Sequence, residues 1–151
     1  MLNIPNVVNQ LIDIHYKEEW WIENKLSEND AQMYFLRMLA FGNIILYTQA
    51  DSVAGFVEFW RISPEQFGRH SLGLPIYNTE DLMRGDVCYI NSFFVAKEHR
   101  FGECIEYLKT ELFNRNKDAK FFVYERQKNK SIRIYNPKEI QRFLGEHYGK
   151  E

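Results

Sequence analysis

Apolar residues at the start of the chain recur every three or four positions, as Ile4, Val7, Val8, Leu11 and Ile12, with His15 on the same face. That spacing predicts a helix from about Pro5 to about Ile22. A helix-start signal, Ser27-Glu28-Asn29-Asp30, then precedes Ala31, Tyr34, Phe35, Met38 and Leu39, and Gly42 closes a second helix. The period next falls to two. Ile44-Ile45-Leu46-Tyr47, the turn-like Gln49-Ala50-Asp51-Ser52 and the run from Val53 to Ile62 predict a hairpin. Its return strand sets Val53, Gly55, Val57, Phe59 and Arg61 against Ala54, Phe56, Glu58, Trp60 and Ile62, so both faces should be covered. Glu58 is the odd residue in an apolar row.

From Ser63 to Gly85 the chain carries Pro64, Gly68, Gly73, Pro75 and Gly85 with no sustained period, which predicts a long loop with room for a turn of helix. The strongest strand follows, from about Asp86 to Ala96, and its two apolar rows suit a central position. A helix is expected from about Gly102 to Asn116 and a strand from Ala119 to Glu125, a spacing that implies a right-handed crossover between parallel strands. Asn129 to Tyr135 reads equally as a short helix or, by Ile132 and Ile134, as a strand; Pro137 to His147 suits a closing helix. The expected fold is α/β: a mixed, mostly antiparallel sheet flanked by helices, with a parallel strand-helix-strand crossover after the long central strand, in one domain spanning 1–151.

Composition narrows the partners. With 151 residues, 45% of them apolar, the chain can bury one core. Nineteen basic against twenty-one acidic residues leave no positive field, which makes nucleic acid an unpromising partner. No apolar run is long enough to cross a membrane, and the first residues lack a secretory signal, so a cytoplasmic protein is expected. Cys88 and Cys104 match neither a disulfide framework nor a zinc pattern, so no metal is expected.

Several residues carry candidate chemistry. Glu58, between Phe56 and Trp60, suits a general base whose neutral form desolvation favours; it would equally suit a solvated strand face or an ion pair with an arginine. Asn91 and Ser92 can hydrogen-bond a substrate where a sheet opens, or be ordinary polar groups of a central strand. His15 reads as structural. His99 and Arg100, just before a helix, suit an anion. Cys104 at that helix start lacks a histidine partner and is rejected as a nucleophile. Arg126, Lys128, Lys130 and Arg133 read as a solvated basic face. Trp20 and Trp21 are about 100° apart on a helix and cannot share one core face, so one of them suits a lid or a protein interface.

The stretch Val95-Ala96-Lys97-Glu98-His99-Arg100-Phe101-Gly102-Glu103-Cys104 resembles the GNAT superfamily of acyl-CoA-dependent N-acyltransferases. In that family a strand ends in a hydrophobic residue, and an Arg/Gln-x-x-Gly-x-Gly/Ala turn cradles the coenzyme A pyrophosphate. Arg100 matches the Arg/Gln position, Gly102 comes one residue early and Glu103 occupies the usual first-glycine position. The resemblance implies acyl-CoA, most simply acetyl-CoA, held by Phe93, Phe94, Val95, Arg100, Phe101, Gly102, Glu103 and Cys104. Asn129-Lys130-Ser131-Ile132-Arg133-Ile134-Tyr135 is similar to the family's Asn-rich helix start, which implies that Tyr135 protonates the departing thiolate. A narrower resemblance is to the toxin-activating lysine acyltransferases, which use acyl carrier protein. Gly85-Asp86 and Phe101-Gly102 stand as in that branch, whose catalytic pair is an early histidine and a strand aspartate; here those positions hold His15 and Asn91.

The expected function is therefore transfer of an acyl group to a primary amine by direct attack, with Glu58, Asn91 and Tyr135 as catalytic residues and a small-molecule or protein amine as acceptor. Two alternatives stand beside it. One is a GNAT-fold protein without catalysis that serves as a binding or structural component of an assembly, which the altered glycine turn favours. The other is the acyl carrier protein-dependent lysine acyltransferase.

Overall fold

The computed structural model describes residues 3–17, 26–72, 85–100, 102–126, 131–136 and 138–139. Helix α1 (Ile4–His15) starts on Asn3, whose side chain accepts from the Asn6 N–H, and has Pro5 in its first turn. It ends at Tyr16, short of the expected Ile22, and Trp20 and Trp21 lie outside the described residues. Helix α2 (Glu28–Ala40) is capped by Ser27, whose hydroxyl accepts from Asp30 N at 3.1 Å. Each helix lays its apolar stripe on the same sheet face. Val7, Val8, Leu11 and Ile12 of α1 and Ala31, Phe35 and Met38 of α2 pack with Ile44, Val53 and Phe56.

Strands β1 (Ile44–Gln49) and β2 (Ser52–Ile62) form the expected hairpin. Its tip, Ala50 and Asp51, has φ of 47° and 66°, so both residues are left-handed as a two-residue hairpin turn demands. Gln10 of α1 clamps this tip: its Nε2 donates to Asp51 O at 3.1 Å and its Oε1 accepts from Val53 N at 2.7 Å. The segment expected as a loop after Ile62 begins with a two-turn helix, α3 (Pro64–Ser71), capped by Ser63. Residues 73–84 lie outside the described ones.

Strand β3 (Val87–Val95) is central, one turn of 3-10 helix (Lys97–His99) follows, and α4 (Glu103–Arg115) leads to β4 (Phe121–Arg126), which is parallel to β3. Strand β5 (Ser131–Tyr135) returns antiparallel to β4. Among the described residues the sheet order is β1-β2-β3-β4-β5 with only the β3–β4 pairing parallel and four helices beside it, so the fold is α/β with a mixed, mostly antiparallel sheet flanked by helices. Over Ser131–Tyr135 the strand alternative is the one formed, because alternating Ile132 and Ile134 find a ladder on β4; Asn129 and Lys130 lie outside the described residues. The helix start implied there by resemblance is absent over Ser131–Tyr135. Beyond it, Asn136 Oδ1 accepts from Glu139 N at 2.9 Å, the hydrogen bond of a helix cap; residues 140–151 lie outside the described ones.

Helix α4 covers the opposite sheet face, where Cys104, Leu108 and Leu112 meet Ile45, Val57, Phe59, Cys88 and Phe122. The approach is close at Gly55, where an added Cβ would lie 2.6 Å from Cys104 Sγ and 2.9 Å from Phe94 O. Gly85 is equally constrained, since its Cβ would fall 1.8 Å from the Ile62 carbonyl carbon. Beside it the Arg61 guanidinium ties β2 to the end of α4. It donates to Gly85 O at 2.8 Å, to Asn116 Oδ1 at 3.2 Å and to both carboxylate oxygens of Asp118. No helix among the described residues is long and apolar enough to cross a membrane.

Candidate functional site

Strand β3 makes two departures at one residue. Glu58 pairs with Ser92 and Phe59 with Ile90, which leaves Asn91 as a bulge against β2. The parallel pairing of β3 with β4 also stops there, its last rung being Ile90 with Tyr124. From Asn91 to Val95, β3 is bonded to β2 on one side and has no strand on the other among the described residues. A stretch of backbone N–H and C=O groups is thus left without a ladder at the middle of the sheet.

Glu58 lies directly beside that opening, on the α1 and α2 face, and is 0% exposed. It is neither solvated nor paired with an arginine. Its Oε2 stands 3.0 Å from His15 Nε2, and its Oε1 accepts from Tyr34 Oη and from Asn91 Nδ2, each at 2.5 Å. His15, also 0% exposed, packs its ring between Phe35 and Phe56, with centroids at 4.6 and 5.1 Å. Its Nδ1 is 2.7 Å from Leu11 O. A carbonyl only accepts, so Nδ1 carries a hydrogen and Nε2 is the nitrogen that shares a proton with Glu58. Trp60 Nε1 donates to Tyr34 Oη at 3.2 Å. Burial, followed by the adjacent Glu58 charge and hydrogen bond, raises the Tyr34 phenol well above its ordinary value.

The network has a buried end and a partly exposed end. His15 and Glu58 are sealed, whereas Tyr34, Trp60 and Asn91 are half-buried. Beyond Trp60 the aromatic contacts continue inward through the buried Tyr89, which stacks on it at 5.7 Å and is 3.1 Å from His70 Nε2 through its hydroxyl.

On the turn after β3, Ala96 N is bonded to Ala54 O at 2.8 Å and His99 N to Ala96 O at 2.8 Å. Arg100 is exposed and Phe101 lies outside the described residues. Gly102 begins α4 with φ −112°, and a Cβ there would meet nothing closer than His99 O at 3.9 Å, so this glycine is not required by the backbone. The cap residue, Gly102, gives the first-turn N–H groups of α4 no side-chain hydrogen bond. Glu103 is exposed in that turn, and Cys104 points into the core. Burial pushes the Cys104 thiol up and the Cys88 thiol up to about 12, which leaves neither as a thiolate at neutral pH.

Tyr135 is not brought to this network. It pairs with Phe122, whose parallel partner is Cys88, and it packs on the α4 face while Glu58 faces α1 and α2. Among solved structures, the chain is similar to that of a predicted acetyltransferase with acetyl-CoA from Clostridium acetobutylicum. The two are 14% identical with a TM-score of 0.43, over 98% of this chain and 80% of that one. No family model and no curated protein matches the chain. The likeness assigns no residue.

Two members of the site escape a reading of spacing alone. Tyr34 sits in the apolar stripe of α2, where it looks like core. His15 reads as structural for the same reason, yet a buried histidine in a helix stripe and a buried glutamate in a strand row each need a partner. Each is the other's partner.

Proposed function

We propose that the protein is an N-acyltransferase that moves an acyl group, most simply acetyl, from acyl-CoA to a primary amine. The observation that carries this reading is the coincidence at Asn91 of the bulge, the end of the β3–β4 ladder and the Glu58 network. An extended pantetheine arm has amides that suit the open edge of Phe93, Phe94 and Val95 as an added strand would. The N–H groups at the start of α4, with Arg100, Gly102, Glu103 and Cys104 supplying the backbone, suit a pyrophosphate. The exposed Glu103 carboxylate opposes it there.

The thioester supplies the activated acyl group. Backbone N–H groups between Asn91 and Val95 steady its carbonyl oxygen as charge grows there. Glu58 is sealed beneath Tyr34, so the amine proton passes to the Tyr34 oxygen while the Tyr34 hydrogen moves to Glu58 Oε1. Tyr34 stays neutral throughout, in keeping with its raised pKa. Tyr135 lies on the far face of the sheet, level with Cys88 rather than Asn91, so the departing thiolate takes its proton from water in place of the role that resemblance gives Tyr135. Tyr34→Phe should therefore lower turnover more than Tyr135→Phe, and the reverse order would remove Tyr34 from the proton path.

Thermal shift and calorimetry with acetyl-CoA test the reading. Ligand bound to the native state raises stability by linkage, by about 2.7 kcal/mol at one hundred times Kd. No shift at millimolar acetyl-CoA would turn the assignment to a non-catalytic component of an assembly. A second enzymatic reading is favoured by one contact, His15 to Glu58 at 3.0 Å. It supplies from β2 the carboxylate that an acyl carrier protein-dependent lysine acyltransferase would need beside its histidine, and loading from acyl carrier protein but not acetyl-CoA would select it.

A further inference from the structure

The hydrogen bonds around Glu58 and His15 fix where the proton between them resides. Glu58 Oε1 accepts from Tyr34 Oη and Asn91 Nδ2, and Oε2 faces His15 Nε2 at 3.0 Å. Donors converging on both oxygens suit a carboxylate, which only accepts, whereas a carboxylic acid would have to use Oε2 as a donor. The His15 ring points the same way. Its Nδ1 lies 2.7 Å from Leu11 O, at the short end of the N–H···O range, where bonds from charged donors fall. Phe56 stacks on the ring at 5.1 Å and 20°, and Phe35 meets it tilted at 4.6 Å; aromatic faces attract a cation. The groups that face the pair are Tyr34 and Phe35 of α2, Phe56 of β2 and Asn91 of β3. Of these Tyr34 can ionise, and burial with the Glu58 charge beside it keeps its phenol protonated.

We propose that His15 stands as a buried imidazolium at neutral pH and is the positioning residue of this site. With both nitrogens donating, the ring offers no lone pair and is not itself a base. Sealed from solvent, it touches no substrate. Its part is to neutralise a Glu58 charge that would otherwise be too costly to bury, and to hold Oε2 so that Oε1 is left to Tyr34 and Asn91. The proton count then closes. The Tyr34 O–H bond breaks as a Glu58 Oε1–H bond forms, the amine proton replaces the hydrogen on Tyr34, and the positive charge stays on His15. That charge is opposite in sign to the one growing on the thioester oxygen. The charge state belongs to the resting protein, and only the positioning role rests on the acyl-transfer reading.

Nuclear magnetic resonance on the intact chain, isotope-labelled at the histidine ring nitrogens, separates the two. The His15 ring is assigned by its contacts to the Phe35 and Phe56 rings and by its loss in His15→Gln. It should carry hydrogens on both nitrogens at about pH 8, well above the ordinary histidine value of about 6.5. A single protonated nitrogen at that pH overturns the proposal. Turnover tests the positioning role: His15→Gln should lower kcat about a hundredfold and leave the KM for acetyl-CoA unchanged. A kcat equal to the parent's overturns that role. A doubly protonated ring in a chain that neither binds nor uses acetyl-CoA would sink the acyl-transfer reading, and the positioning role with it, and leave the imidazolium standing.

Discussion

His15 and Glu58, 43 residues apart in sequence, share one buried contact, Nε2 to Oε2 at 3.0 Å, that fastens the C-terminal end of α1 to the middle of β2. Removing one partner takes the contact from a buried atom of the other, Glu58 Oε2 or His15 Nε2, and breaking comparable buried pairs costs about 3–5 kcal/mol. His15→Phe and Glu58→Leu should each lower the urea midpoint strongly, and the double variant should lose clearly less than the sum of the two. Strict additivity would show that the contact contributes nothing.

The hairpin tip carries strain that glycine would relieve. Ala50 has φ 47°, a region where a Cβ is disfavoured, so Ala50→Gly should raise stability by about 0.5–1 kcal/mol. Gly85→Ala should behave oppositely and cost about 3 kcal/mol or more, because its Cβ would fall onto the Ile62 backbone. Gly102→Ala should change the midpoint by only a few tenths of a kcal/mol, since the space beside it is open. Thermal melts of the three variants check the order.

Arg61 holds the Asp118 carboxyl below the usual carboxylate range, chiefly through its hydrogen bonds. A depressed folded pKa adds stability above the unfolded value and loses it as pH falls through the folded one. Asp118 is largely exposed, so solvent screening limits the gain to about 1 kcal/mol or less. Asp118→Asn should therefore be less stable than the parent at pH 7, with the gap closing below about pH 4. A gap that persists unchanged into strong acid would contradict an electrostatic origin.

Hydrophobic period alone located both hairpin strands, the long strand, the crossover helix and the strand after it, because each has one or two continuous apolar rows. It overran α1, which ends at His15, and it allowed only a turn of helix where α3 runs for eight residues that carry few apolar positions. Glu58 and Asn91 were legible as polar residues in strands that otherwise bury apolar rows. Their union with His15 and Tyr34 was not, since it depends on how two helices cross one sheet face. The Asn129–Tyr135 segment was ambiguous because β-branched residues and a downstream proline fit either a short helix or an edge strand, and only the β4 ladder decides between them. The loss of the β4 rung at Asn91 leaves no trace in hydrophobic pattern, as pairing partners are set by the twist and reach of separate strands.

Backbone amide hydrogen exchange with and without acetyl-CoA tests the central claim most directly. Residues 91–95, which lack a strand on one side among the described residues, should exchange more slowly when the ligand is present, together with the first turn of α4 after Gly102. Unchanged exchange at both places under millimolar acetyl-CoA would contradict the account.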